Sequence, residues 1–285
     1  MAMKFSLQLP TDRVENLSEF GTAEAIVEIA QATEAAGFDA SFVTEHPFPT
    51  DEWLGAGGHH ALDPFVSLAI AATATKSLLL HTNILVLAYR NPFLTAKAVA
   101  SLDVVSGGRV IMGVGAGYLE GEFAALGADF ANRNDVSDDA IMAMKAAWGG
   151  KSVALSKPGF EARGNTMLPP PLQKPHPPIW VGGNSPRAIR RSVDFAQGWS
   201  PFPLPAAGKD RTLTSAIESV EDLAAGIQRM KEYAEKQGRS EPLDVNFVPF
   251  GLHMNTRKVP SDEALREQFG ALEEAGVTWV MSLGI

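Results

Sequence analysis

The chain has 285 residues, a formal net charge of -9 at pH 7 and no cysteine. The acidic balance disfavours nucleic acid as a partner, because little positive charge is available to replace phosphate counterions. The absence of cysteine excludes disulfide bonds, thiolate metal ligands and a cysteine nucleophile. The N-terminus does not resemble a signal peptide, and no run of about 18 apolar residues occurs, so we expect a cytoplasmic protein that does not span a membrane.

Short apolar runs alternate with helical patterns from one end of the chain to the other. In chain order, strands are predicted at Phe5–Leu9, Ala40–Val43, Leu78–Leu87, Val110–Val114, Ile179–Val181, Gly198–Ser200, Leu243–Phe250 and Val277–Leu283. The predicted helices between them are Thr22–Ala36, Pro64–Ala74, Pro92–Val105, Asp135–Trp148, Pro186–Ala196, Val220–Gln237 and Ser261–Ala275. Eight strands with intervening helices predict an α/β fold, a (β/α)8 TIM barrel with insertions, and we find no second domain.

The third and fourth predicted strands form the most informative part of this pattern. Both are too uniformly apolar to alternate, which predicts parallel strands covered on both faces. The helix between them begins after Asn91-Pro92 and ends before Ser106-Gly107-Gly108, as helix-start and helix-stop signals require. The fourth strand leads directly into the sequence GVGAGY, Gly113 to Tyr118, at the strand end where α/β folds bind ligands. Taken alone, those glycines are equally consistent with a tight turn.

Two segments depart from the alternation. Residues 149–178 read as an insertion, with a short strand at Val153–Leu155, a turn at Gly164-Asn165 and a proline-rich run. Residues Pro201–Ser215 contain proline and glycine and read as a mobile lid. The sequence ends at Ile285, so the helix that normally follows the eighth strand is apparently missing. We expect either that a partner subunit covers this seam or that the eighth strand is placed differently.

The segment GGNSPRAIRR, which begins at Gly182, follows the fifth strand. Ser185 is a plausible N-cap, and the next residue is a proline at the first helical position. Free amides at such a helix start, with Arg187 one turn in, are suited to binding phosphate. An ordinary capped helix is the alternative.

Glu45 and His46 end the second strand at the face where barrel enzymes carry out their chemistry. A histidine at this position can donate or accept a proton near neutral pH, although a structural histidine is the alternative. His59 and His60 are expected to be exposed loop residues. The chain has six histidines, at positions 46, 59, 60, 81, 176 and 253, and they form no HExxH pair, so we expect no metal site.

Several motifs occur together in this chain. They are TEHP after the second strand, NILVLAYRNPFLTAKAVASLDVVSGGRVIMGVGAGYLEGEF, LPPPLQKPHPPIWVGGNSPRAIRR, and GWSP. In combination they resemble the bacterial luciferase-like monooxygenase superfamily from Met3 to about Trp199. Within it, the chain is most similar to the branch of oxidoreductases that use coenzyme F420, a 5-deazaflavin.

The resemblance implies a TIM barrel that holds the deazaflavin ring in its mouth. It places the family's non-proline cis peptide, which bulges behind the ring, at Asn83-Ile84. It makes His46 the active-site histidine, with Glu45 tuning or orienting it. Together with Asn83 and Ile84, the implied cofactor-binding residues are Gly115, Ala116, Gly117, Tyr118, Gly182, Gly183, Asn184, Ser185, Arg187 and Trp199.

Ala116 bears on the choice of cofactor. Flavin-using luciferases carry an arginine for the FMN phosphate at the matching position, so alanine favours coenzyme F420 over FMN. The leading hypothesis is an oxidoreductase that transfers a hydride between the deazaflavin C5 and a small organic substrate. An FMN-dependent monooxygenase supplied by a separate reductase and a non-catalytic flavin- or deazaflavin-binding protein remain open. By the same resemblance, we expect a homodimer.

Overall fold

Eight parallel strands close into a barrel in the computed structural model, which describes residues 2–252 and 261–283. In chain order the strands are β1 (Lys4–Gln8), β2 (Ala40–Val43), β3 (Leu79–Val86), β4 (Val110–Gly115), β5 (Val153–Lys157), β6 (Phe160–Asn165), β7 (Ile179–Gly182), β8 (Gly198–Ser200), β9 (Asp244–Phe247) and β10 (Trp279–Ser282). The barrel order is β1-β10-β9-β8-β7-β4-β3-β2, and β5 and β6 form a separate two-stranded sheet. The predicted (β/α)8 TIM barrel is therefore confirmed.

Helices connect the strands. They are α1 (Ala23–Ala35), α2 (Asp51–Gly55), α3 (Pro64–Ala74), α4 (Pro92–Ser106), α5 (Glu120–Ala125), α6 (Arg133–Trp148), α7 (Pro186–Phe195), α8 (Lys209–Thr212), α9 (Val220–Lys236) and α10 (Asp262–Ala275). None of the helices in the described part of the chain combines the length and apolarity needed to cross a membrane. His253, one of the histidines considered above, lies outside the described residues.

Side chains on both faces of β4 are buried, as its uniform apolarity predicts. Outward-facing Met112 joins the cluster that contains Ile141 of α6. Inward-facing Ile111 packs inside the barrel against Trp180 and Trp279. A parallel strand between a filled barrel and a helical layer has no solvent-facing side, which explains why apolar residues run continuously through it.

The predicted helix starts are confirmed in atomic detail. The Asp63 carboxylate accepts hydrogen bonds from the N–H groups of Phe65 and Val66 at 2.9 and 3.2 Å, and so caps α3. Asn91 caps α4 and Ser185 caps α7 through their side-chain oxygens. A proline follows each of these three caps, at a position whose missing N–H leaves no hydrogen bond unmade.

The insertion contains a hairpin, but the predicted turn at Gly164-Asn165 is wrong. Lys157 pairs with Phe160, so the chain reverses at residues 158 and 159. Gly164 and Asn165 lie in β6, where the register shifts opposite Val153. Gly164 has a φ of +88°, and a glycine of this conformation inside a strand marks a bulge rather than the hairpin turn.

The last described strand closes the barrel. β10 pairs in parallel with β1 on one side and with β9 on the other. The alternative in which the eighth strand is placed differently is therefore wrong. Backbone hydrogen bonds close this seam without a partner subunit, and the homodimer stays a prediction.

One carboxylate from α1 holds the turn between α3 and β3. Oxygen Oε1 of Glu34 accepts hydrogen bonds from the N–H groups of Ser77, Leu78 and Lys76 at 2.6, 3.0 and 2.9 Å. The Ser77 hydroxyl donates to the same oxygen at 2.9 Å. These donors, the Ser77 N–H above all, favour the charged form and lower the pKa of Glu34 to about 2.

We expect Glu34→Gln to destabilise the fold by about 1 kcal/mol at pH 7, since a partly exposed carboxylate loses charge-assisted hydrogen bonds. The pKa of Glu34 in the folded state lies below the usual 4.5. The stability that the Glu34 charge contributes is therefore complete above pH 4.5 and is lost as the pH falls towards 2. Urea unfolding of both proteins from pH 7 to pH 3 measures this. Glu28→Gln, on an exposed face of the same helix, is the control. A pH-independent difference would contradict the assignment.

Candidate active site

The predicted site residues come together at the carboxyl ends of four neighbouring barrel strands, β2, β3, β4 and β7. The loop after β2 carries Glu45 and His46, and the bulge of β3 carries Asn83 and Ile84. The loop after β4 and the start of α7 supply the two glycine-rich segments. With the separate β5-β6 sheet set aside, these four strands follow one another in the chain and around the barrel, so their ends are adjacent.

A bulge interrupts the pairing of β3 with β4. The register shifts between Thr82 and Leu85, and the peptide bond between Asn83 and Ile84 is cis, as predicted. Both bulge residues are only half-buried, although the strand on either side of them is buried. The bulge therefore presents Asn83 and Ile84 at the mouth of the barrel.

The glycines around this bulge are required by close packing. A Cβ atom on Gly115 would lie 2.1 Å from Cδ1 of Ile84, and one on Gly182 would lie 3.0 Å from the same atom. Gly117 has a φ of +80°, and a Cβ there would lie 2.6 Å from Cγ1 of Val86. The Ile84 side chain thus lies directly against the backbone of Gly115 and Gly182, and together they form a compact floor at the mouth, against which a flat group could lie.

Asn184, predicted to bind the cofactor phosphate, instead anchors the segment that follows β8. Its side-chain NH2 donates to the carbonyl oxygens of Phe202 and Ser215 at 2.9 and 2.8 Å, and its Oδ1 accepts from the Phe202 N–H at 3.0 Å. Its own N–H donates to the Thr214 hydroxyl at 2.9 Å. The predicted lid, Pro201–Ser215, is therefore tied at both ends to one side chain, and the Asn184 amide is already used.

Ser185 is confirmed as a helix cap, because its Oγ accepts from the Ala188 N–H at 3.1 Å. The ordinary-cap interpretation is thus correct for Ser185, whereas a phosphate contact of its N–H stays a prediction. Gly183, with a φ of +103°, turns the chain between β7 and this cap.

Arg187 and Trp199 both bind other parts of the protein. The Arg187 guanidinium is bound by Asp135 and by Asp138, which lies 2.8 Å away, because α6 presents these acids to α7. Trp199 is fully buried, and its indole N–H donates to the Gly183 carbonyl at 2.8 Å. The structure therefore corrects Trp199, which supports the glycine turn from beneath. Arg187 joins two helices, and its contact with a cofactor stays a prediction.

Glu122, a residue that the sequence did not single out, faces His46. Its side chain is 1% exposed, and Oε2 lies 3.5 Å from Nδ1 of His46. It also accepts hydrogen bonds from the Phe48 N–H at 2.9 Å and the Tyr89 hydroxyl at 2.8 Å. Burial raises the pKa of Glu122, but the His46, Phe48 and Tyr89 donors outweigh burial and leave the pKa below its usual range.

Two further rings pack around the His46 side chain. The centroid of the Trp53 ring lies 4.4 Å from that of His46, and the His59 ring packs edge-on to His46 at 4.8 Å. His59 is half-buried rather than exposed, and burial lowers its pKa despite the hydrogen-bonding contact with the His60 carbonyl. Trp53 and His59 shield His46 from solvent, whereas His60 is exposed as expected.

Glu45 does not orient His46 in this structure. Its carboxylate accepts the Val86 N–H at 2.7 Å and is bound by the Arg90 guanidinium, which also lies 3.3 Å from Asp63. Burial raises the pKa of Glu45, and the Arg90 charge opposes that rise. The predicted orienting role of Glu45 is therefore corrected, because this carboxylate joins the β2 loop to the end of β3.

Beneath the mouth, the interior of the barrel is aromatic and closed. His81 is fully buried, and burial lowers its pKa to about 3, so the ring is neutral. Trp180 packs edge-on against it with 4.8 Å between ring centroids. Trp53 lies beside His46, whereas Trp180 and Trp199 are buried.

The chain is similar to known proteins that depend on coenzyme F420 or on reduced FMN. The chain is 29% identical over 179 residues to the F420-dependent hydroxymycolic acid dehydrogenase of Mycobacterium tuberculosis, covering 62% of this chain and 48% of that protein. It is 28% identical over 222 residues to the FMNH(2)-dependent dimethylsulfone monooxygenase of Pseudomonas putida, covering 77% and 56%. The alignments thus span about half the length of these curated relatives.

A solved structure of an F420-dependent secondary alcohol dehydrogenase, in complex with an F420-acetone adduct, has the same fold. Its TM-score is 0.75 at 16% identity, over 99% of this chain and 94% of that one. The family model of luciferase-like monooxygenases matches residues 3–280, from the first barrel strand to the last. The chain therefore belongs to the luciferase-like monooxygenase family.

Proposed function

We propose that this chain is an oxidoreductase that uses coenzyme F420 to transfer a hydride to or from a small organic substrate. The observation that carries the proposal is His46, which follows β2 at the same end of the barrel as the floor and the bulge of the paired strand β3. Hydride transfer of this kind needs a group that exchanges protons near a surface on which a flat cofactor ring can lie.

The residues of the mouth fit a flat cofactor ring. Gly115 and Gly182 let the half-buried Ile84 pack directly on the backbone, and side chains at these glycines would push Ile84 out of the floor. When bound, the deazaflavin would accept or supply the hydride at its C5 atom. We propose that the ring lies over this floor, with Asn83, Ala116, Gly117 and Tyr118 at its edges.

Ala116 favours the deazaflavin over FMN. An FMN phosphate is bound most strongly where a guanidinium can pair with it, and an alanine supplies no charge. The nearby guanidiniums of Arg187 and Arg191 are bound by Asp138 of α6, and so do not replace the missing arginine. An FMN-dependent monooxygenase is the second candidate, since one of the curated relatives uses reduced FMN.

His46 would donate or accept the proton that accompanies the hydride. Its side chain is 11% exposed, so one part of the ring remains open to the mouth. Trp53 and His59 cover its flanks and limit the access of water. The segment anchored by Asn184 and the loop after β2 would border the substrate.

A titration with each cofactor tests the choice between them. We expect deazaflavin to bind at micromolar concentration and FMN to bind more weakly, as followed by the quenching of cofactor fluorescence. Ala116→Arg should raise the affinity for FMN about tenfold or more, because a phosphate–guanidinium pair forms.

Ala125→Arg, at an exposed position of α5, is the control and should leave FMN binding unchanged. Tight FMN binding by the unaltered chain, with oxygen consumption in the presence of reduced FMN, would instead support the monooxygenase.

Replacement of His46 tests the catalytic role. We expect His46→Asn to lower kcat about 100-fold or more, because the variant loses the group that transfers the proton. Its affinity for the cofactor should change less than about twofold, because the floor under the proposed ring is unchanged. Steady-state kinetics with deazaflavin and a panel of small alcohols and ketones measures this. His60→Gln, in the exposed part of the same loop, serves as the control. Cofactor binding without any turnover would support a non-catalytic binding protein.

A further inference from the structure

We infer that Glu122 is the positioning residue of this site, which holds His46 through Nδ1 and leaves Nε2 to exchange protons with the substrate. The role of His46 in turnover rests on the proposed function. The contact between Glu122 and His46 does not depend on it, because the contact is present in the protein alone.

The carboxylate of Glu122 is itself fixed by groups from two other segments. One oxygen, Oε1, accepts the Phe48 N–H from the loop after β2, at 2.9 Å. The other, Oε2, accepts the Tyr89 hydroxyl from the turn after β3, at 2.8 Å, and faces His46 Nδ1 at 3.5 Å. With its donors on both sides, the carboxylate has a single orientation, which it imposes on the imidazole.

His46 Nδ1 needs this partner. The atom is buried, and in the described part of the chain no group lies within ordinary hydrogen-bond geometry of it. A buried polar atom without a partner costs about 1–3 kcal/mol, so the 3.5 Å approach is expected to shorten into a hydrogen bond. Long hydrogen bonds of catalytic groups commonly tighten when substrate binds.

The other groups around His46 leave this role to Glu122. Trp53 of α2 is uncharged, and His59 meets His46 edge-on with its own Nδ1 directed to the His60 carbonyl. Glu45, the neighbouring residue in the chain, is bound by Arg90. Among the described carboxylates, Glu122 is the one within ion-pair distance of His46.

More distant ionisable groups complete the surroundings. Asp12, from the loop after β1, acts on His59, and Tyr118, from the loop after β4, faces Glu122 and Arg211 of α8. None of these groups replaces an acceptor at Nδ1.

The charge of Glu122 determines which nitrogen of His46 carries the proton. The Phe48 N–H and the Tyr89 hydroxyl both donate to Glu122 and favour its charged form, so the group is a carboxylate at neutral pH. A carboxylate can only accept, so a hydrogen bond between it and His46 requires the proton on Nδ1. Nε2 then has a free lone pair and serves as the proton acceptor.

The first test reads the tautomer directly. In the full chain without cofactor, ¹⁵N spectra of labelled imidazoles, assigned with His46→Asn, report which nitrogen is protonated. We expect the Nδ1–H tautomer to dominate at pH 8 in the unaltered chain and in Glu120→Gln, an exposed neighbour on α5. In Glu122→Gln, whose amide can donate to Nδ1, the Nε2–H tautomer should rise to about half or more.

The second test is kinetic, with deazaflavin and an accepted substrate. We expect Glu122→Gln to lower kcat about 10- to 100-fold with KM within about twofold, as for a general base that is present but misoriented. Tyr89→Phe, which keeps the carboxylate, should lower kcat less than Glu122→Gln does, and Glu120→Gln should match the unaltered chain.

Two results would overturn the inference. One is a dominant Nε2–H tautomer of His46 in the unaltered chain, and the other is an unchanged tautomer in folded Glu122→Gln. If Glu122→Gln does not fold, the spectrum of the unaltered chain still decides. Failure of the proposed function is a separate outcome, namely a dominant Nδ1–H tautomer in a protein that neither binds deazaflavin nor turns over.

Discussion

The close approach of β4 and β7 to the bulge of β3 is the constraint on which the mouth of this barrel depends. Ile84 projects towards β4 and β7, and a Cβ at Gly115 or Gly182 would collide with it or press against it. The glycines are therefore fixed by packing before any ligand is considered. The same packing sets the position of Ile84 at the mouth, so one steric requirement serves both the fold and the proposed site.

Two buried carboxylates at this mouth have different tasks, which their partners determine. Glu45 is bound by a guanidinium and a backbone N–H, and so stabilises the junction of two strand ends. Glu122 has only uncharged donors and one imidazole, and so remains able to hold a histidine in place. Arg90 therefore holds the Glu45 carboxylate, whereas Glu122 of α5 lies within ion-pair distance of His46.

Sequence patterns located the loops of the site but not the partners of several of its side chains. Continuous apolar strands, capped helix starts and glycine clusters are local signals, and the barrel and the caps follow from them, whereas the bulge followed from the family resemblance. Asn184 and Arg187 follow the same strand but bond to segments distant in the sequence, the lid and α6. Local pattern does not reveal such partners, and for the same reason the sequence did not single out Glu122.

The sequence by itself determined the barrel, because hydrophobic periodicity and turn chemistry depend on neighbours within a few residues. Its combined motifs carried the resemblance to the family. It also placed His46 at a strand end and predicted the position of the cis peptide. Only the tertiary structure decided which carboxylate faces His46 and which polar side chains are already engaged. Those contacts join residues tens of positions apart, and only closure of the barrel brings them together.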